Sequence, residues 1–213
     1  MDSQSQRKVF FIGGNVGYGE FKQVQSGSFG VNGNAIATGN ETIKTDSFST
    51  GFLLGYKILF NPYVGLRLYA GFDVSVPEFE SEGQKEETVL LNYGGNLDFL
   101  VNFVAKPKVD FGIFAGVGIG GNKWYSKDIE QAKQDTNFKN LGIKIKDNGL
   151  DLALNAGLRV NIARRHGIEL VARVPFKPVT MIDKTIENAG VSVNYKLQYV
   201  QIYNANVRYT FMF

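Results

Sequence analysis

The sequence predicts an all-β protein, an eight-stranded antiparallel up-and-down transmembrane β-barrel, and three observations carry that prediction. The last stretch places Val191, Val193, Tyr195, Leu197, Tyr199, Gln201, Tyr203, Ala205, Val207, Tyr209, Phe211 and Phe213 at odd positions. Asn194, Lys196, Gln198, Asn204, Asn206, Arg208 and Thr210 stand at even ones. Side chains alternate across a strand, so one face is apolar and aromatic and the other polar and charged. Seven earlier runs repeat the pattern, which gives an even strand number. The connections alternate long and short, as they do when tight turns line one rim of a barrel and longer loops the other.

The first run is Val9 to Gly19, with Phe10, Ile12, Gly14, Val16 and Tyr18 on the apolar face. From Glu20 to about Asp46 the chain is rich in Gly, Ser and Asn and reads as a loop. Ser47 to Phe60 resumes the alternation, and Asn61-Pro62 turns the chain into Val64 to Ser75. An acidic loop, Glu78 to Glu87, leads to Thr88 to Val104. Lys106-Pro107-Lys108 turns into Val109 to Gly121. A lysine-rich loop from about Asn122 to Asn148 follows. Within it Asp128 to Gln134 has the composition of one or two helical turns without a firm cap. Leu141, Ile143 and Ile145 hint at an early strand start, with a bulge before Gly149. Leu150 to Ile162, the turn Arg164-Arg165-His166, and Gly167 to Phe176 come next. A loop from Lys177 to Gly190 returns to the terminal strand.

Composition agrees. The 213 residues suit one barrel domain over 1–213, and 25 glycines, 13% aromatics and five prolines favour strands. No run approaches the roughly 20 apolar residues of a membrane helix. A net charge of +3 gives no footprint for nucleic acid. With no cysteine, there is neither a disulfide framework nor a thiol site. The opening Met-Asp-Ser-Gln-Ser-Gln-Arg-Lys lacks an apolar region and reads as a mature start after removal of a targeting peptide.

The apolar face is the bulkier one, and eight strands enclose room only for close-packed side chains, so the glycine-rich polar face points inward. Aromatic residues then fall at both membrane interfaces. Phe60, Tyr63, Phe103 and Phe213 lie beside the short turns, and Tyr18, Phe48, Trp124, Phe176 and Tyr199 near the long loops. The inward face carries Lys57, Arg67, Arg159, Arg173 and Arg208 against Asp73, Asp98, Asp110, Asp151 and Glu169. Of these, Lys57, Arg67, Asp98, Arg159, Glu169 and Arg208 lie at similar depth from the short-turn rim. With Asp110 they form the expected lumen charge cluster, since buried charge persists only when paired. The cluster reads as a plug; its alternative is the lining of a narrow porin for ions and small solutes.

Catalytic chemistry has little to work with. The single histidine, His166, sits on a short turn, and a lone turn histidine with no cysteine supports neither an acyl-transfer site nor a zinc site. Glu78, Glu80, Glu82, Glu86 and Glu87 lack a calcium-loop spacing. Gly116, Gly118, Gly120 and Gly121 lie in a strand and read as small inward packing, not a phosphate cradle. No enzyme, cofactor or metal is therefore expected. Lys123, Lys127, Lys133, Lys139, Lys144 and Lys146 could touch anionic lipopolysaccharide.

Arg165-His166-Gly167-Ile168-Glu169-Leu170, Arg173-Val174-Pro175, the run from Tyr195 to Tyr203 and the closing Tyr209-Thr210-Phe211-Met212-Phe213 resemble the barrel end of the Helicobacter outer membrane protein family. The resemblance covers roughly the last third of the chain. It implies an outer-membrane barrel inserted by the barrel-assembly machinery, with Tyr209, Phe211 and Phe213 as the C-terminal insertion signal. Large adhesins of that family carry a surface domain after the first strand, whereas the segment from Glu20 to Asp46 is too short for one, so host-receptor adhesion does not carry over. The expectation is a bacterial outer-membrane barrel with periplasmic termini, three periplasmic turns and four extracellular loops. Its partners would be membrane lipids and lipopolysaccharide, the assembly machinery and a host surface ligand.

Overall fold

A computed structural model of the chain describes residues 7–81, 84–136, 140, 142–188 and 190–213. The expectations placed on residues 1–6 and on Glu82, Lys139 and Leu141 lie outside them. The long strands are β1 (Arg7–Val31), β2 (Asn34–Leu59), β3 (Val64–Ser75), β6 (Val89–Ala105), β7 (Val109–Tyr125), β8 (Asn148–Ile162), β9 (His166–Pro175) and β11 (Val191–Met212). Each pairs antiparallel with the next, and β1 pairs with β11, so these eight close into a ring. Closure leaves no unpaired edge within the wall, the condition for strands in hydrocarbon. Three of the connections add structure at the long-loop end: the hairpin β4 (Glu78–Ser81) and β5 (Gln84–Glu87), helix α1 (Lys127–Gln134), and β10 (Val179–Asn188).

The outward face is as expected. Phe48, Phe52, Leu54, Tyr56 and Phe60 of β2 and its end are all exposed, as are Leu68 and Phe72 on β3. Phe48 to Phe60 spans about 40 Å along the strand at ~3.3 Å per residue. At a tilt near 40° that is about 30 Å along the barrel axis, one hydrocarbon core. Phe60, Tyr63, Phe103 and Phe213 stand exposed at the short-turn rim, and Tyr18, Phe48 and Phe176 at the other.

Several expectations need correcting at the long-loop end, among them the loop from Lys177 to Gly190, most of which is strand β10 paired with β11. The Gly/Ser/Asn-rich stretch is not a loop: β1 and β2 run on as a hairpin to a turn at Asn32 (φ 48°) and Gly33 (φ 79°). Positive φ at both positions is the type I′ geometry that Asn-Gly adopts most readily. The helix does have a cap, because the Ser126 hydroxyl accepts a hydrogen bond from the Ile129 amide at 3.1 Å. Ile143 and Ile145 are not strand; that segment is held by the Lys146 amide donating to the Met181 carbonyl (2.9 Å). Finally, β11 does not keep one parity. Its pairing with β1 skips Ile202, where Glu20 faces Tyr203 and Phe21 faces Gln201. This bulge turns Tyr199 and Gln201 inward while Tyr203, Val207 and Tyr209 stay outside. Tyr199 and Trp124, expected at the interface, are buried together inside the barrel mouth with ring centroids 5.0 Å apart.

Candidate functional site in the barrel lumen

Register builds the charge layer. Lys57 on β2 pairs with Arg67 on β3, which pairs with Asp98 on β6. On the opposite wall Arg159 on β8 pairs with Glu169 on β9, which pairs with Arg208 on β11. All six point inward and are buried. Arg67 holds Asp98 through two nitrogens, Nη2 at 2.7 Å and Nε at 3.1 Å from Oδ2. Its Nη1 reaches across the lumen to Glu169, which also takes Arg208 Nη1 at 3.3 Å. Arg67 thus ties the two walls together.

The expected full pairing is only partly met. Arg159 donates to the Asn102 side-chain oxygen at 2.6 Å, and Lys57 Nζ lies 3.0 Å from the Met212 sulfur. Neither reaches a carboxylate among the described residues, and Asp110, half-buried below them, reaches no cation. Towards the long loops a second tier follows. Arg173 pairs with Asp151, and Asn15 donates to Asp73 at 2.9 Å. Asn92 donates to Gln201 at 3.1 Å, and Asn155 to Asn96 at 2.9 Å. Between the tiers lies a polar cavity of about 30 Å³, lined by Asn15, Asp73, Asn96, Asp151 and Arg173 among others. That is room for about one or two waters.

Reasoning on sequence missed the apolar part of the filling. Phe11, Tyr69 and Phe114 point inward, and the Arg67 guanidinium lies 5.9, 5.1 and 4.6 Å from their ring centroids. Aromatic faces attract a buried guanidinium and exclude water around it. The signal was a cross-strand one: Tyr69 pairs with Gly55 and Phe114 with Gly157. A side chain at Gly157 would collide with the Phe114 ring, and one at Gly55 with the Leu68 carbonyl and the Tyr69 Cβ. Above the second tier, Phe21, Phe79, Leu90, Trp124, Ile129, Val179, Met181 and Tyr199 form a hydrophobic core closing the long-loop mouth. Phe79 stacks edge-on against Tyr199 at 5.3 Å, and Phe21 against Trp124 at 6.3 Å.

His166 lies outside this lumen, on the short-turn rim, exposed and 2.7 Å from the Tyr209 hydroxyl. The lysine-rich loop is partly neutralised from within: Lys133 contacts Glu130 (2.8 Å) and Asp147 (2.7 Å), and Lys123 lies 3.9 Å from Asp147. Of the acidic loop, Glu78 lies 4.0 Å from Lys85, while Glu86 packs near Ser126.

A family model described as Helicobacter outer membrane protein matches residues 51–213. Among solved structures, the outer membrane protein OprG from Pseudomonas aeruginosa is similar at 14% identity and a TM-score of 0.52, the match covering 100% of this chain and 99% of that one. Neisserial surface protein A is a looser match, with 10% identity, a TM-score of 0.41, and 91% and 96% of the two chains covered. No curated protein matches.

Proposed function

This chain belongs to the Helicobacter outer membrane protein family, and from that premise we propose that it is a closed, non-conducting outer-membrane scaffold acting at the cell surface through its long-loop end. The observation that carries the reading is the filled lumen. Arg67, Glu169 and Arg208 link opposite walls, and the aromatic core caps the layers above them. A conducting path would have to separate buried ion pairs, at about 3–5 kcal/mol for each charge left alone. The short turns and both chain ends face the periplasm in this reading, and the β1–β2 hairpin, α1 and β10 face outward. Lipopolysaccharide and a host surface ligand would meet that outward end. The assembly machinery would read Tyr209, Phe211 and Phe213, which line the lipid-facing side of β11 and its end. The lumen charges hold structure and perform no catalysis.

Planar-bilayer recording of detergent-folded protein tests this, with heat-modifiable gel mobility as the check on folding. A folded barrel is expected to give no steady channel steps. Discrete steps in folded protein would replace this reading with that of a narrow pore gated at the Arg67–Glu169 contact.

A further inference from the structure

The two ends of the barrel differ in charge. At the long-loop end acids and bases interleave and pair, as Lys44 does with Glu20 (3.0 Å) and Lys196 with Asp183 (3.7 Å). At the short-turn rim Lys8, Lys106, Lys108, Arg164 and Arg165 are all exposed, and none joins an ion pair among the described residues. The nearest carboxylate in sequence, Asp110, is on the inward face of β7.

Four of these cations are gathered. The turn after β6 and the turn after β8 are bound together: the Ala163 amide donates to the Lys108 carbonyl (2.8 Å), and Arg164 Nε donates to the Pro107 carbonyl (2.8 Å). The second turn holds Ala163 (φ 52°) and Arg164 (φ 61°) in the left-handed region, where Asn and Gly are the usual residues. Directly below, on the lipid-facing wall, Phe103, Val109, Phe111 and Ile162 are exposed. Val109 and Ile162 are cross-strand partners, and Phe103 and Phe111 lie 6.2 Å apart. Cations thus stand over apolar surface at the membrane boundary, with no ion-pair partner among the described residues.

We propose that Lys106, Lys108, Arg164 and Arg165 form a binding site for an anionic phospholipid, its phosphate among the cations and its acyl chains along Phe103, Val109, Phe111 and Ile162. The site rests on the reading above that the short-turn rim meets the phospholipid leaflet. Each cation near an anionic surface is worth about fivefold in binding.

The test is the motionally restricted fraction of spin-labelled phosphatidylglycerol against phosphatidylcholine in proteoliposomes of the full chain. Both leaflets carry the same lipid there, so the result does not depend on orientation. Reagent labelling of the two rims on intact cells tests orientation separately. Phosphatidylglycerol is expected to be preferred by at least about fivefold, the contribution of one cation, at low salt, with the preference fading as salt screens the charges. The preference is expected to fall in the Lys106→Gln/Lys108→Gln variant and in Arg164→Gln/Arg165→Gln, and to persist in Lys123→Gln/Lys127→Gln. Two separate pairs keep the test open should one variant fail to fold. Equal restriction of both lipids by the parent protein would overturn the site, as would a preference undiminished in every folded rim variant.

Discussion

Glu169 is the residue on which the lumen turns, because it accepts from Arg67 of the opposite wall and from Arg208 beside it. Neutralising it in place, Glu169→Gln, leaves Arg208 without a carboxylate and reduces the Arg67 tie between walls from an ion pair to at most a hydrogen bond. The expected loss is about 3–5 kcal/mol of barrel stability, as for one partner removed from a buried pair. Lys57 should behave in the opposite way. It is buried beside the Met212 sulfur and forms no direct ion pair among the described residues, so Lys57→Met removes a buried charge without a bonded counter-ion and is expected to be neutral or to stabilise by about 1 kcal/mol. Urea midpoints of both variants, followed by gel mobility, check the pair. Two variants losing equally would mean that Lys57 does have a partner in the membrane. The layer was legible because strand parity and distance from the tight turns fix depth. Its exact pairing was not, because which arginine crosses the lumen depends on side-chain reach.

Among the elements, β3 was readable to the residue, Val64 to Ser75, because one face meets lipid and the other the lumen along its whole length. Beyond Phe21 and Gln23, which are buried at the mouth, the β1–β2 hairpin holds few buried side chains, so alternation disappears and backbone pairing carries the strands on. The Asn32-Gly33 pair was the remaining signal. The Ile202 bulge was marked faintly by Gln201, the one amide in an otherwise apolar series, which the bulge turns inward to Asn92. That turn also delivers Tyr199 to the core around Trp124 and α1. Titration should tune this core. Burial, with Asp128 nearby, raises the pKa of Glu86, although the Ser126 hydroxyl opposes the shift. A raised acid stabilises the packed state fully below its unfolded pKa, and this contribution disappears as pH rises through the folded value. Asp147 runs the other way. Burial would raise its pKa, but hydrogen bonding to Lys133 and the nearby lysine charges hold it below the usual value. Its contribution is present above the unfolded pKa and lost as pH falls through the folded one. The loop core is therefore expected to be most stable near pH 4 to 5, roughly between these carboxylate ranges. In Glu86→Gln the gain on acidification from neutrality should vanish while the loss at lower pH remains. Trp124 emission during denaturant titration at several pH values reads both; a midpoint that is flat with pH in the parent protein would refute the assignment.

The whole molecule joins two kinds of stability. The wall is a closed ladder in which each of the eight strands pairs on both sides, and in hydrocarbon an opened pair finds no water to replace it. The mouth rests instead on one hydrophobic cluster assembled from β1, β4, β6, β7, α1, β10 and β11. Around it lie short elements and single backbone ties, such as the Trp124 amide to the Asp147 carbonyl at 2.7 Å. Elements with few long-range ladders open locally at lower free energy than the strands they cap. The mouth should therefore unfold before the wall. The sequence has one tryptophan, Trp124, buried in that mouth core, so its emission reports the mouth alone. In a urea titration of protein in lipid, the Trp124 red shift is expected to precede the loss of β-sheet circular dichroism and heat-modifiable mobility. Tyr199→Ala should move only the fluorescence transition, to lower urea, by about 3 kcal/mol or more for a buried aromatic truncated to alanine. If fluorescence, dichroism and mobility change together in both proteins, mouth and wall form one cooperative unit, and the loop core would be part of the barrel's own stability.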